Sequence, residues 1–222
     1  MRNTNAKYVI VFALLISVIG LTIGFATYTN TLTIQSSADV KGDPSKFNVK
    51  LSTVSTGYTP GTVAGVTNPT GVTGFTAANA TIVSSGDSAG RLISGLKATF
   101  TDVGQKVTYK LYAYNGGSFV AYLNSISGIT GGKTCTAISG TTQSLVDQAC
   151  NGISVKVTIG GTNGTGGTTY SADNTSISSH SLAKNTGEEV FITIEYASNS
   201  QVADGDFTVS FDPIVILYGS AD

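Results

Sequence analysis

The sequence is poor in charged residues. Asp, Glu, Lys and Arg make up only 11% of its 222 residues, against about 25% in an ordinary soluble domain. The formal net charge is −1, and the Lys and Arg residues are scattered along the chain. Binding to nucleic acid needs clustered basic residues that release counterions from phosphates. We therefore predict no nucleic-acid partner, and the same balance argues against a strongly charged membrane-surface role.

Residues that carry catalytic or metal chemistry are also scarce. The chain has a single histidine, His180, in a Ser-rich stretch, and it has no HExxH motif. Zinc needs a full set of ligands, and Ser–His–Asp catalysis needs an acid beside the histidine; no Asp or Glu stands out as that acid. The stretch Ala203–Asp206 lacks the rest of a calcium-loop pattern. We predict no catalytic residue, no metal site and no cofactor, and we predict that the chain is not an enzyme.

The N-terminus carries an uncharged apolar run. Arg2 and Lys7 precede residues 8–25, which read YVIVFALLISVIGLTIGF. At about 18 residues this run lies between the apolar core of a signal peptide and a membrane-spanning helix. No Lys or Arg follows closely enough to stop transfer. We predict that residues 1–26 are a signal peptide, with a retained membrane anchor as the alternative, and that residues 27–222 form a single exported domain.

The chain has two cysteines, Cys135 and Cys150. Two cysteines this close in an exported chain favour a disulfide, and a pair of free thiols is the alternative. A metal pair or a redox centre is disfavoured because the spacing is not CxxC. We predict that Cys135 and Cys150 are bonded.

Beyond the N-terminal run, apolar and polar residues alternate, which is typical of half-buried strands. The strongest example is Gln105–Asn115, in which four apolar residues share one face: Val107, Tyr109, Leu111 and Ala113. The turn signal at 115–117 predicts that this strand forms a hairpin with Phe119–Ile126. Leu92–Phe100 and Phe207–Tyr218 are each predicted as one segment, with an edge position or a bulge forced by Pro213. The predicted helix is Thr141–Ala149, between the cysteines.

These segments predict an all-β fold. About eight to ten strands with one short helix indicate an antiparallel two-sheet sandwich. A jelly-roll topology is preferred. An immunoglobulin-like sandwich is the alternative, although the chain has no Trp and its cysteines lie too close in sequence for an intersheet bridge.

Three parts of the chain resemble exported proteins of the TasA/camelysin type from Firmicutes and relatives. Ile23–Asp43 resembles the passage from signal peptide to first strand in that family. Leu96–Ile126 resembles the family's central hairpin, and the stretches Thr134–Ile159 and Ser181–Ser198 resemble small relatives of the same type. The order of these segments carries the resemblance. Members have also been labelled metalloproteases, but this chain lacks HExxH.

The resemblance implies a jelly roll, export through a signal peptidase of the W type, and assembly into fibres of a biofilm matrix or cell surface. It also implies that the new N-terminus adds as a β-strand to a neighbouring copy. The matching stretch here is residues 27–37, an uncharged segment with apolar residues at alternate positions. The residues assigned to this self-assembly strand are Thr27, Thr31, Leu32, Thr33, Ile34 and Ser36. The alternative is an ordinary first strand paired within its own domain.

Other functions remain open at this level. A pilin-like subunit would retain its N-terminal helix, although the apolar run lacks the Glu usual in type IV pilins. A membrane-anchored adhesin or carbohydrate-binding module would need exposed aromatic residues or a calcium site. The expected partners are copies of the same chain, with cell wall or glycans as further candidates, and the expected location is the cell surface or the extracellular matrix.

Overall fold

The computed structural model describes residues 48–163, 165–175, 177 and 179–219. These residues form antiparallel strands and one short helix. The predicted signal segment and the predicted self-assembly strand lie outside the described residues. The strands are β1 (Val49–Ser52), β2 (Thr62–Val63), β3 (Gly65–Asn68), β4 (Thr76–Ala77), β5 (Ala80–Ile82), β6 (Leu92–Ser94), β7 (Lys97–Phe100), β8 (Lys106–Asn115), β9 (Ala121–Ser127), β10 (Lys133–Ala137), β11 (Ile153–Ile159), β12 (Thr168–Tyr170), β13 (Ser181–Leu182), β14 (Thr186–Tyr196), β15 (Phe207–Phe211) and β16 (Ile214–Gly219), and helix α1 spans Gln143–Cys150.

The first sheet, sheet A, is centred on two long strands. Its order is β1-β8-β14-β11-β12, and β3 also pairs with β8. Strands β8 and β14 pair without a break from Lys106 opposite Glu195 to Asn115 opposite Thr186. The predicted inward face of β8 is confirmed, because Val107, Leu111 and their apolar neighbours on that face are fully buried.

The other strands form two further sheets, and single segments of the chain run from one of these sheets into the other. Sheet B has the order β13-β9-β16-β6-β5-β2, and sheet C has the order β10-β15-β7-β4. Four segments pass directly from one sheet to the other, namely β4–β5, β6–β7, β9–β10 and β15–β16. Three of these four bends fall at Gly95 and Gly128, which have positive φ, and at Pro213. Proline has no N–H for a ladder, so the segment is divided there.

The three sheets share one hydrophobic core. Its centre is an aromatic group in which Phe100 of β7 contacts Phe75, Tyr196 and Phe207. Tyr196 comes from sheet A, and Phe100 and Phe207 come from sheet C. Aromatic pairs of this kind contribute beyond the area they bury, so this group joins sheet A to sheet C.

The predicted hairpin of Gln105–Asn115 with Phe119–Ile126 is wrong. Strand β8 belongs to sheet A and β9 to sheet B. The reason is Asn115, which is buried and uses its side chain to shape a crossover. Its amide nitrogen donates to the carbonyl oxygens of Phe119 at 2.9 Å and Leu182 at 3.0 Å, and its amide oxygen accepts from Gly117 N at 3.0 Å. These bonds direct the chain across the core instead of back along β8.

The coarse fold prediction is confirmed: the chain is mostly β, its strands are antiparallel, and the predicted helix lies in the loop between the cysteines. Hydrogen bonding divides the strands into three sheets, where the sequence predicts two. The predicted segments 92–100 and 207–218 are each two strands, because each crosses the bend between sheets B and C.

Tyr109 of β8 ties sheet A to this bend. Its hydroxyl lies 3.0 Å from the carbonyl oxygens of both Ala78 and Lys97, where β4 and β7 leave the bend. The ring is fully buried, and burial raises the pKa of the phenol. Gly65 lies opposite the ring, where a Cβ would come within 2.9 Å of Tyr109 Cε1. The ring therefore fills the space that this glycine leaves.

Replacing Tyr109 with Phe should lower the free energy of unfolding by about 0.5–1.5 kcal/mol, because the phenol O–H no longer donates to a carbonyl oxygen at the bend. Urea denaturation of the two proteins measures the difference. Tyr122→Phe is the control, since Tyr122 is half-exposed. Equal losses in both variants would contradict the role assigned to the Tyr109 hydroxyl.

Candidate functional site

Two sheet edges face each other with no described strand between them. Strand β10 is an edge of sheet C and pairs only with β15 in the described chain. Strand β11 pairs with β12 only over Val157–Ile159, so residues 153–156 have no described strand on that side. A pocket of about 210 Å³ lies at this place, which we call the edge groove. Its lining residues are Ile129, Thr130, Gly131, Lys133, Ile153, Ser154, Val155, Ser171 and Phe211.

The floor of the edge groove is part of the hydrophobic core. Ile129, Ile153 and Val155 belong to the core cluster, and Phe211 packs against it. Polar residues, including Thr130 and Ser171, are exposed at the rim. An apolar floor between unpaired backbone edges suits an extended segment, which buries alternate side chains and offers its backbone to both walls.

Lys133 spans the edge groove from one wall to the other. It begins β10, and its Nζ donates to the carbonyl oxygen of Ile153 on β11 at 2.5 Å. Partial burial lowers the pKa of this amine. A side chain thus satisfies one carbonyl that a neighbouring strand would otherwise bond.

Gln143 covers the outer edge of β10 in a similar way. Its Oε1 accepts from Ala137 N at 2.8 Å, and its Nε2 donates to Cys135 O at 3.0 Å. Nε2 also donates to Asp147 Oδ1 at 2.7 Å. One carboxamide therefore bonds a backbone N–H and a backbone C=O two residues apart on the free side of β10. Exposed edges in natural proteins are commonly protected from unwanted pairing.

The predicted disulfide is confirmed and lies beside the edge groove. Cys135 and Cys150 are bonded, with their Cα atoms 6.0 Å apart. Cys135 is in β10, and Cys150 ends α1 just before β11 begins at Ile153. The bond therefore links one wall of the groove to the chain that leads into the other wall.

Asp173 holds the loop that forms one end of the edge groove. Its Oδ1 accepts from Ile129 N at 2.7 Å and from Thr130 N at 3.1 Å. Desolvation acts to raise the pKa of this carboxyl, but the hydrogen bonds from Thr130, Ile129 and Gly128 outweigh it, so the pKa is lowered. The charged carboxylate is thus the form that supports the loop.

A second polar cluster surrounds His180. Its Nε2 lies 2.6 Å from Glu188 Oε2, and Tyr218 OH donates to Glu188 Oε1 at 2.8 Å. Burial and the Glu188 charge raise the pKa of Tyr218 well above its ordinary value. Glu188 follows the histidine by only eight residues, but no local pattern in the sequence marks it as the partner. Both oxygens of Glu188 are engaged, so the cluster links the approach to β13 with β14 and β16.

One further motif was missed in the sequence. Residues 86–90 read GDSAG, which fits the GxSxG pattern of a nucleophile elbow. That elbow requires a turn from strand to helix, whereas here it is the turn between β5 and β6, closed by the bond from Gly90 N to Val83 O at 2.7 Å. Within sheet B, β5 is separated from β13, which follows His180, by β6, β16 and β9. The motif therefore forms a turn between two strands and not a nucleophile elbow.

In the described ranges, no group of three His, Cys, Asp or Glu side chains converges as a metal site. Among the same residues, no helix is long and apolar enough to cross a membrane. The six residues assigned to the self-assembly strand lie outside these ranges.

Replacing both cysteines with Ser should lower the free energy of unfolding by about 3 kcal/mol, the entropic value of a loop of this length. Urea denaturation of the oxidised protein and the variant measures it. Reducing the unmodified protein should give a similar loss, while a reductant should leave the variant unchanged. Equal stability of all forms would show that the bond adds nothing to the fold.

The carboxylate of Asp173 predicts a loss of stability in acid. Because its folded pKa is depressed, its contribution is present above the unfolded pKa, about 3.9 for Asp, and is lost as the pH falls through the folded value. Asp173→Asn should remove this part of the pH dependence. Urea midpoints of both proteins from neutral pH down to about pH 2 test it; parallel curves would contradict the assignment.

Comparisons with known proteins assign no family. No protein-family model, no curated protein and no solved structure matches the chain. The resemblance to the TasA/camelysin type stays a prediction based on the segments quoted above.

Proposed function

We propose that this chain is an exported, non-enzymatic structural protein, a subunit of fibres in the extracellular matrix or at the cell surface. Residues 27–37 of one copy add as a β-strand to the edge groove of the next. The observation that carries the proposal is that the edges of β10 and β11 meet no further strand in the described chain and lie over an apolar floor. In this proposal the two-layer arrangement is of the jelly-roll kind, with sheets B and C together forming the second layer.

The lengths of the groove and the segment support the pairing. Strand β10 offers five residues along its outer edge, and β11 leaves Ile153–Lys156 unpaired. Residues 31–37 are of similar length, and their apolar members Leu32 and Ile34 fall on one face of a strand. Burying each of these two side chains contributes about 1.5–3 kcal/mol, and each backbone hydrogen bond adds roughly 1 kcal/mol net.

Charge supports contact between copies of the chain. The segment 27–37 has no charged residue, and the groove has one cation, Lys133, whose Nζ is already bonded to Ile153 O. The whole chain has a net charge close to zero, so repulsion between copies is weak. Association of this kind depends on backbone pairing and apolar burial more than on attraction between charges.

The alternative function, a carbohydrate-binding or adhesin module, receives less support. Stacking on sugar needs ring faces open to solvent. Tyr112 and Phe191 lie on the outer face of sheet A, but Lys110 Nζ lies over both rings, at 5.7 Å and 5.4 Å from their centroids. Lys110 is itself paired with Glu189, so this lysine stays over the rings.

The first experiment compares two purified forms by negative-stain electron microscopy, one beginning at Thr27 and one at Asp39. Only the longer form should make filaments, because it alone carries the strand that fills the groove. If both forms remain monodisperse monomers, the proposal is overturned. If the longer form stays monomeric and is the more stable to urea, the segment pairs within its own domain instead.

Two substitutions locate the pairing site on the form that begins at Thr27. Ser171→Trp should abolish filaments, because Ser171 is exposed and lines the edge groove. Ser85→Trp should leave them intact, since Ser85 is exposed in the turn between β5 and β6. Equal assembly of both variants would place the contact elsewhere on the surface.

A further inference from the structure

The edge of β10 is occupied before any partner arrives. The Gln143 carboxamide holds Ala137 N and Cys135 O, the polar groups on the side of β10 away from β15. In an antiparallel strand, the N–H and C=O of one residue point to the same side, and residues two apart repeat that direction. An added strand would use these same two groups. The Gln143 side chain and an incoming strand therefore compete for them.

The orientation of the carboxamide is fixed by its neighbours. Cys135 O and the Asp147 carboxylate can only accept hydrogen bonds, and both lie against Nε2. Oε1 is thereby directed at Ala137 N. Asp147 lies one helical turn after Gln143 on α1, so the two side chains are neighbours and the amide is held against the edge of β10.

The contact is also easy to open. Gln143 and Asp147 are exposed, and Gln143 is the first residue of α1. Solvent competes well for exposed hydrogen bonds, so each of them contributes little net free energy. Rotating this one side chain frees the edge without disturbing the buried face of the helix, which is formed by Val146 and Ala149.

We propose that Gln143 is a latch on the acceptor edge, which shields β10 in the free subunit and is displaced when the strand of a second copy binds. This inference rests on the proposed function and adds regulation of the same groove. A latch reduces the apparent affinity of the edge to its intrinsic affinity multiplied by the fraction of molecules in which the latch is open. It keeps isolated copies apart while leaving the site available to the matching strand.

The test replaces Gln143 with Met in the mature chain beginning at Thr27. Methionine has a similar length and high helix propensity, but it cannot bond both backbone groups. Gln148→Met is the matched control, because Gln148 lies on the same helix and is exposed. Filament growth is followed by light scattering and electron microscopy, and hydrogen exchange at the Ala137 amide is followed in the monomer fraction.

The latch predicts that Gln143→Met speeds filament growth roughly fivefold, the value of about 1 kcal/mol of lost competition. It also predicts faster exchange at the Ala137 amide, with the control unchanged in both readouts. A synthetic peptide of residues 27–37 should slow growth of the variant, because it takes the freed edge.

Three outcomes would overturn the latch. If all three proteins form filaments at one rate, the fibre proposal stands and the latch is wrong. If Gln143→Met gives amorphous aggregates that the peptide does not suppress, the freed edge is sticky rather than selective. If none of the proteins assembles, the fibre proposal fails and the latch fails with it.

Discussion

The pairing of β8 with β14 is the interaction on which the rest of the structure depends. It runs over the full length of β8 and buries the apolar face of both strands. Strands β1 and β3 attach to the other edge of β8, and β11 attaches to the other edge of β14. Tyr109 reaches from β8 to the bend between sheets B and C. The edge groove also depends on this pairing, because one of its walls is β11, which is attached to β8 through β14.

The bend between sheets B and C divides four continuous chain segments between two sheets. Three of the four turn where a ladder cannot continue, at a glycine with positive φ or at Pro213. Strand β10 leaves the bend at the edge of sheet C, across from β11 of sheet A. Unpaired backbone edges are costly when buried and adhesive when exposed. The side chains of Lys133 and Gln143 bond part of this pair of edges.

Local patterns predicted much of the fold. The alternation over Gln105–Asn115, the short helix and the disulfide were all visible, because each depends on neighbouring residues or on two cysteines. The path after Asn115 was not, because Asn-Gly signals a tight turn whether or not the Asn is buried. The long-range bond from its side chain to Leu182 O distinguishes a crossover from a tight turn.

The candidate site was only half predictable. The sequence predicted an N-terminal strand that pairs with another copy, but it did not predict the acceptor. The groove proposed as acceptor is assembled from loop 129–131, β10, β11, Ser171 and Phe211. Its parts meet through pairings that no local pattern encodes. The same holds for Gln143, which reads as an ordinary helix residue until β10 is placed beside it, and for Glu188, which meets His180 only after β14 is placed.

The disulfide has a further consequence for the chain that it encloses. The bond between Cys135 and Cys150 closes a short covalent ring that carries α1. Gln143 and both of its backbone partners on β10 belong to this ring. When the carboxamide leaves the edge, the ring keeps it nearby at a high effective concentration. Recapture is then a local side-chain event and needs no refolding of the loop. In the proposed latch, an incoming strand therefore competes with a side chain that stays close to the edge.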